Sequence, residues 1–365
     1  RMVHSRVYER PADAIPPNGE GKVFLLYSTF METSLRERLE RHARFTDGIR
    51  GFFKARGYAE VDTPALSPYL IPEPAIEVFQ TEYLPARGSA RSMWLIPSPE
   101  LWMKRLLAGG AGDIYQISKS FRNGDFGGPH HNPEFRLLEW YTIGSGYLES
   151  IRVIEDLFSS LLDTTVPGLP ASELAPPFLR MSMEEAFQRY AGIDLARCQD
   201  PRVLRAEGQA KGILLPDSQT WEEAFHIVFL TLIEPRLPRE KPLVLLDYPA
   251  LVPTTARQRQ GTPWSERWEL YVDGVEIANC YTEETDPGVL RSFVRREERR
   301  RIGCRTSHAT DPEFAELFPP GFPLCSGAAL GVDRLEMVFA GEKSLEGVIL
   351  FPFSAILAGQ SDRHA

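Results

Sequence analysis

Residues 118–141 read SKSFRNGDFGGPHHNPEFRLLEWY, and this segment decides how the fold is interpreted. It predicts a strand that ends at Arg122, a glycine-rich turn, and a second strand whose side chains alternate between two faces. One face of the second strand carries Phe135, Leu137, Glu139 and Tyr141. Because a buried carboxylate must be paired, a plain core face would not combine these groups. We therefore favour a functional face over the alternative, an amphipathic hairpin with a solvated glutamate.

The composition predicts a globular cytoplasmic protein with a substantial core. Of its 365 residues, 43% are hydrophobic and 25% are charged, which suits one large or two modest domains. No run of about 18 apolar residues predicts a membrane span, and the first residues contain no export signal. The net charge of −9 argues against a broad nucleic-acid-binding surface. The four cysteines lack CxxC spacing, so reduced thiols are expected rather than a zinc site.

The order of predicted elements indicates an α+β fold. Residues 1–30 are polar and rich in proline and glycine, and we expect an N-terminal arm there, followed by one catalytic domain over 31–355. Helices are predicted near 34–57, 98–110, 147–162, 182–191, 220–234, 287–302 and 332–340. Strands are predicted near 57–66, 113–122, 134–143, 243–248, 267–280 and 325–331. Strands flanked by segregated helices predict an antiparallel sheet.

The predicted hairpin around the Asp273-Gly274 turn brings two carboxylates together. The turn places Tyr271 opposite Glu276, and Glu269 then lies diagonally from Glu276, at about 7–8 Å on the same face. Two carboxylates at this separation repel each other unless a cation lies between them. Magnesium bound to phosphates fits, because it takes one or two carboxylates and keeps several waters. The alternative is a pair of solvated glutamates on an exposed strand.

The segment SGAALGVDRL (326–335) predicts a thin strand followed by a helix. Gly327 and Gly331 would let a ligand or another backbone approach the strand closely. Arg334 falls in the first turn of the helix, where the helix dipole opposes a cation. Its position makes sense as a second clamp on an anion bound at that helix end. The alternative is a surface pair with Asp333, which would contribute little.

These features together predict a triphosphate site. Arg122 and Arg334 would hold phosphate oxygens, Glu269 and Glu276 would hold magnesium, and Phe135 would offer a flat apolar face to a base. Catalysis would consist of positioning and charge neutralisation in the transition state.

Five separated motifs, in the right order, resemble the catalytic core of a class II aminoacyl-tRNA synthetase. The segments that resemble motifs 1, 2 and 3 of the class are, in that order, GFFKARGYAEVDTP, SFRNGDFGGPHHNPEF and GAALGVDRL. Three segments are similar to the lysine-specific branch of the class, namely SPELWMKRLLAGG, HNPEFRLLEWY and GVEIANCYTEETD. The resemblance covers residues 35–340. It implies the class II fold, an antiparallel sheet flanked by helices, and a homodimer formed through motif 1.

No anticodon-binding domain is predicted, since only about thirty residues precede the first helix, whereas such a domain needs roughly a hundred. The chain therefore resembles the stand-alone family of elongation factor P–lysine ligases. That family uses ATP and Mg²⁺ to activate a lysine, preferably (R)-β-lysine, and transfers it to a lysine side chain of elongation factor P. The resemblance leaves open the choice between α-lysine and β-lysine, the acceptor lysine and the docking surface.

The resemblance also implies roles for individual residues. The residues implied for ATP are Arg122, Asn123, Asp125, Asn132, Phe135, Glu269, Glu276, Ile277, Gly331 and Arg334. The resemblance implies that Glu269 and Glu276 bind magnesium. It implies catalytic roles for Arg122, Glu276 and Arg334. The residues implied for the amino acid are Ser98, Glu100, Glu139, Tyr141, Asn279, Glu283 and Ala329. Among the amino acid residues, Ser98 and Glu100 would hold the amino group nearer the reacting end, and Tyr141 and Glu283 the distal ammonium.

Two departures from the family pattern and two rival functions accompany this interpretation. Asp125 stands where motif 2 usually has a glutamate, in a loop that is one residue longer, so the register there is open. Ala329 stands where lysyl-tRNA synthetases have glycine.

The rival functions are a truncated lysyl-tRNA synthetase that charges tRNA and a non-catalytic synthetase-like module. The arginine-rich helix 287–302 is either a solvated face or a surface for an acidic protein or tRNA.

Overall fold

The computed structural model describes residues 35–124, 128–164, 171–302 and 304–361. The predicted arm at 1–30 and Asp125 lie outside these residues. All four cysteines are described, and none of them forms a disulfide. Within the described ranges, no helix combines the length and the apolar character needed to cross a membrane.

The strands and helices agree with most of the predicted segments. The strands are β1 Ala59–Glu60, β2 Leu66–Ser67, β3 Gln80–Tyr83, β4 Arg91–Leu95, β5 Ile114–Phe121, β6 Glu134–Ile143, β7 Leu179–Ser182, β8 Leu243–Leu246, β9 Arg267–Val272, β10 Val275–Thr282 and β11 Cys325–Gly331. The helices are α1 Leu35–Ala55, α2 Glu100–Ala108, α3 Tyr147–Thr164, α4 Ala171–Leu174, α5 Met183–Ala191, α6 Pro201–Ala210, α7 Trp221–Val228, α8 Pro287–Arg300, α9 Val332–Phe339 and α10 Phe353–Ser361.

The described strands form one sheet of eight, in the order β1-β5-β6-β11-β10-β9-β8-β7, and a smaller sheet, β2-β4-β3. The centre of the large sheet is antiparallel, as predicted. Its two edge pairs, β1 with β5 and β7 with β8, are parallel, a feature that the predicted antiparallel sheet did not include. Long segments join the strands of both edge pairs, and parallel neighbours require such crossovers. The sheet is therefore mixed.

The back face of the large sheet packs against α1, α3 and α9. Buried aromatic and aliphatic side chains fill this interface, among them Phe53, Trp140, Trp268 and Leu335. The alternation of β6 assigns Leu138 and Trp140 to this core, which leaves the odd-numbered residues of β6 on the front face.

Two smaller cores flank the front face and leave a cleft between them. One is built from α5, α6 and α7 on the β7–β9 side, and the other from α2, α8 and the segment around Phe314. Neither the small sheet nor helix α6 was predicted. The strands of the small sheet are short and mostly exposed, and helix α6 contains a glycine, Gly208. Helix α8 buries Leu290 and Phe293, and its Arg296 and Arg300 pair with Glu297.

Candidate active site

The floor of the cleft is a row of residues that crosses five strands. Gln116 lies opposite Glu139, Glu139 opposite Ala329, Ala329 opposite Asn279, and Asn279 opposite Glu269. Residues paired in this way project from the same face of a sheet. Four residues predicted for three different ligands therefore lie on one surface.

A β-bulge in β10 brings Glu276 to the same surface. The predicted pairing of Glu276 with Tyr271 is confirmed, and the register then shifts between Glu276 and Ala278. Because the extra residue, Ile277, interrupts the alternation, Glu276 and Asn279 both face the cleft although three positions separate them. The Ile277 side chain is buried in the back core, so only its backbone can meet a nucleotide.

The inner end of the cleft holds more carboxylate oxygens than donors. Tyr141 donates a hydrogen bond to Glu139 Oε1 at 2.6 Å. Within the described residues, the buried atoms Glu139 Oε2 and Glu283 Oε1 have no hydrogen-bond partner. Burial, reinforced by the charge of Glu100, raises the pKa of Glu139 well above its ordinary value. Burial raises the pKa of Glu283 to about 7, although Lys104 opposes this shift. Both carboxyls would gain from a bound cation.

Lys104, which was not predicted from the sequence, supplies the cation at this end of the cleft. Its side chain is fully buried, and Nζ lies 2.6 Å from Glu100 Oε1, 2.8 Å from Glu283 Oε2 and 3.1 Å from Thr255 Oγ1. Tyr281 also donates to Glu100 Oε1, at 2.8 Å. Burial favours a lower pKa for Lys104, but Glu100 and Glu283 outweigh it and raise the pKa well above the ordinary value. The i,i+4 spacing of Glu100 and Lys104 was the available signal.

Gly327 allows Tyr141 and Glu283 to meet over β11. A Cβ atom at Gly327 would lie 2.5 Å from both Glu283 Oε1 and Tyr141 Cε1. Such contacts are far inside van der Waals distance, so any side chain there would displace the two groups predicted to bind the distal ammonium. At Gly331, the other glycine of the strand, the nearest atom would be 3.6 Å away.

The outer part of the cleft carries the predicted phosphate ligands. The guanidinium carbon of Arg122 lies 5.4 Å from the centre of the Phe135 ring. Arg122 Nε is buried and has no hydrogen-bond partner among the described residues, so its N–H can donate to an anion. The backbone N–H of Asn123 donates to the carbonyl oxygen of Glu77 at 2.8 Å, which ties the segment after β5 to the loop between β2 and β3.

Arg334 is held beside Glu276 by backbone and side-chain contacts. It donates to the carbonyl oxygen of Glu276 at 2.8 Å and to that of His130 at 3.1 Å, and it lies 3.1 Å from His131 Nε2. The alternative pairing with Asp333 is wrong. Asp333 instead accepts two hydrogen bonds from Arg136, both at 2.7 Å.

The predicted metal ligands differ in how they are already bound. Glu269 accepts from Arg267 at 2.6 Å, from Tyr248 at 2.5 Å and from Tyr271 at 2.8 Å. The Glu276 carboxylate has no such partner in the described part of the chain. Burial and the charge of Glu269 raise the pKa of Glu276 to about 7. The two carboxylates could bind Mg²⁺, because the Glu276 oxygens accept no hydrogen bond from the described residues and Glu269 could supply a further oxygen ligand.

Two further predicted residues lie at the edges of the cleft. Ser98 lines a cavity together with Glu73 and Trp102. The side chain of Asn132 donates to the Glu134 carbonyl oxygen at 2.5 Å and accepts from the Phe353 N–H at 2.9 Å. Both ends of the Asn132 amide therefore already bind the backbone. Its contact with ATP stays a prediction.

Comparison with known proteins gives a family that matches this site. Residues 25–355 match the family model of the class II tRNA synthetases (D, K and N). An elongation factor P–(R)-β-lysine ligase of Haemophilus influenzae (strain PittGG) is 32% identical over 321 residues, which cover 86% of this chain and 94% of the relative. The ligase of Yersinia enterocolitica is 33% identical over 318 residues, with coverages of 86% and 94%. A homologue of this ligase from Aquifex aeolicus is 34% identical over 301 residues, with coverages of 82% and 94%. The chain therefore belongs to the class II tRNA synthetases and, within them, to the elongation factor P–(R)-β-lysine ligase family.

Proposed function

We propose that this chain uses ATP to join lysine, preferably (R)-β-lysine, to a lysine side chain of elongation factor P. The observation that carries the proposal is the surplus of buried carboxylates, Glu139 and Glu283, at the inner end of a cleft whose outer end holds Arg122 and Arg334. A positively charged side chain would enter the inner end, and a triphosphate would occupy the outer end. The names of the relatives support elongation factor P and β-lysine as the two substrates.

In the first step, a carboxylate oxygen of the amino acid bonds to the α-phosphorus of ATP. The bond from that phosphorus to the bridging oxygen breaks, and pyrophosphate leaves with the electron pair. Arg122, whose Nε is unpaired, would neutralise charge that develops on the α-phosphate. Arg334 would hold the departing phosphates, since its guanidinium is already oriented by the backbone of Glu276 and His130.

In the second step, the uncharged amine of the acceptor lysine attacks the carbonyl carbon of the adenylate. A carbon–nitrogen bond forms, the carbon–oxygen bond to AMP breaks, and one proton is released. Glu276 and Glu269 would hold the magnesium, which supplies charge neutralisation for the phosphates. Asn279 and Ala329 would shape the floor beneath the amino acid, because both lie in the cross-strand row.

The partner assignments form part of the same proposal. A homodimer through motif 1, which spans the end of α1 and β1, belongs to this proposal. A protein acceptor is favoured over tRNA by the names of the relatives. A cytoplasmic location agrees with four unpaired cysteines.

The test is pyrophosphate exchange followed by mass spectrometry of elongation factor P. We expect ATP–pyrophosphate exchange that depends on lysine or (R)-β-lysine, and a mass increase of one lysyl group on elongation factor P. Absence of exchange with either isomer would favour the non-catalytic module. Robust charging of lysine tRNA, with no product on elongation factor P, would favour the truncated synthetase.

A further inference from the structure

The loop between β2 and β3 is anchored on both sides of Glu73. On one side, the N–H of Leu70 donates to the Ala309 carbonyl oxygen at 2.9 Å. On the other side, the Glu77 carbonyl oxygen accepts from the N–H of Asn123 at 2.8 Å. Asn123 directly follows Arg122, so the far end of the loop is tied to the predicted phosphate site.

Glu73 lies in this loop in a restrained backbone. Pro72 and Pro74 flank it, and proline fixes its own φ angle and restricts the residue before it. The Glu73 carbonyl oxygen accepts from the N–H of Ile76 at 3.1 Å, which closes a turn. These constraints restrict the backbone from which the Glu73 side chain projects.

Glu73 lines a small cavity of about 10 Å³, which has room for one water-sized group such as an ammonium, and its carboxyl lacks a partner there. The walls are largely apolar and include Ile71, Ile96, Leu101 and Trp102, with the predicted substrate residue Ser98 among them. Within the described ranges of the chain, the Glu73 carboxyl makes no hydrogen bond and no ion pair. A carboxylate in apolar surroundings costs free energy unless a cation reaches it.

Charged groups of the cleft act on the Glu73 carboxyl. Burial and the charge of Glu100 raise the pKa of Glu73 to about 7, whereas Arg122, Lys104 and Arg267 act in the opposite direction. Glu100, by contrast, already receives Lys104 and Tyr281 on Oε1. Of these two carboxyls, Glu73 is the one without a donor.

We propose that the Glu73 carboxylate, together with the Ser98 hydroxyl, binds the ammonium group nearer the reacting carboxyl of a diamino acid. This inference rests on the proposed function and adds a binding residue to it. The distal ammonium goes to Glu139 and Glu283, and the substrate carboxylate faces Arg122. Each of the three charged groups of the substrate then meets an opposite charge.

The test compares two ligands that differ only in that amine. Lysine carries it, and 6-aminohexanoate lacks it but keeps the distal ammonium and the carboxylate. In pyrophosphate exchange, Glu73→Gln should raise the KM for lysine by about 10- to 100-fold, the range for losing a charge-assisted hydrogen bond. The inhibition constant of 6-aminohexanoate and the KM for ATP should change less than about threefold, because neither ligand presents this amine.

A matched control is Glu82→Gln, the same substitution on the exposed strand β3 of the same small sheet. It should leave every constant unchanged. Glu73→Asp keeps the charge on a shorter stem and should give an intermediate KM for lysine. Equal effects of Glu73→Gln on lysine and 6-aminohexanoate, or no effect on either, would overturn the inference while the proposed function stands. A wild-type protein that shows exchange with neither lysine nor (R)-β-lysine would overturn both.

Discussion

Two buried ionic clusters lie on opposite faces of the large sheet and differ in their balance of charge. The back cluster joins α1, β6 and α9 and consists of Arg41, His42, Arg136, Asp333 and Glu336, so two guanidinium groups face two carboxylates. Arg136 donates to Asp333 at 2.7 Å and to Glu336 at 2.6 Å, and it lies 3.1 Å from His42 Nε2. Burial favours a higher pKa for Glu336, but His42 and Arg136 outweigh it and keep the pKa below its ordinary value.

The front cluster has the opposite balance. It consists of Glu100, Lys104, Glu139 and Glu283, so three carboxyls share one ammonium. The pKa values of Glu139 and Glu283 are raised, whereas that of Glu336 is lowered. The comparison teaches that a buried ionic group is structural where the charges balance and is a binding site where one sign is in excess.

The largest expected effect is the loss of protein stability when the back cluster is disrupted. Arg136→Met removes the cation that Asp333 and Glu336 share, and leaving buried carboxylates unpaired costs about 3–5 kcal/mol of unfolding free energy. Urea denaturation measures the change. The control is Lys119→Met, which breaks an exposed pair with Glu134, at 57% and 51% side-chain exposure, and should cost less than about 1 kcal/mol. Equal losses in the two variants would contradict the structural role of Arg136.

The same substitution in the front cluster should give a pH-dependent loss. In Lys104→Met the raised pKa values of Glu139 and Glu283 rise further, so the folded state binds more protons than the unfolded state. Stability then falls as pH increases from the ordinary carboxyl range to beyond 7, with a slope of up to about 1.4 kcal/mol per group and pH unit. Thermal unfolding at pH 6 and pH 8 tests this. A Lys104→Met deficit that is the same at both pH values would count against the carboxylate surplus.

A methyl group at Gly327 should damage the front cluster without touching a charge. Gly327→Ala places Cβ 2.5 Å from Glu283 Oε1 and Tyr141 Cε1, so the distal ammonium site must shift. We expect the KM for lysine in pyrophosphate exchange to rise at least about tenfold, about 1.4 kcal/mol. Gly331→Ala adds the same methyl with no contact under 3.6 Å and should change this KM less than about threefold. Similar KM values for the two variants would show that Gly327 is not needed for this packing.

The smallest predicted effect is the pH dependence of lysine binding. Glu283 has its pKa raised to about 7, so its ionised form becomes dominant as pH rises through that value. The KM for lysine should therefore fall by up to about tenfold between pH 6 and pH 8, while the lysine side chain stays protonated. Glu283→Gln should flatten this profile. A wild-type KM that increases over the same interval would contradict the assignment.

Most of the fold followed from local patterns. The alternation in β6, the Asp273-Gly274 turn and the β11–α9 junction were predicted from sequence, and each is found at the expected residues. Lys104 was not, because a lysine beside a glutamate at helical spacing usually marks an exposed helix surface.

The bulge at Ile277 was also beyond local reasoning. Strict alternation places Glu276 and Asn279 on opposite faces, and only the resemblance to a family put both in one site. Arg267 and Glu73 were missed because their importance depends on which strands and loops become neighbours. The parallel edges of the sheet have the same origin, since pairing across long connections leaves no local signal.

The measurement that tests the carboxylate surplus most directly is discrimination between lysine and norleucine, which lacks the distal ammonium. Pyrophosphate exchange would give kcat/KM for both amino acids in the wild-type protein and in Glu283→Gln. The account predicts a preference for lysine of at least about 100-fold in the wild type and of about tenfold or less in Glu283→Gln. An undiminished preference in a folded Glu283→Gln protein would contradict it.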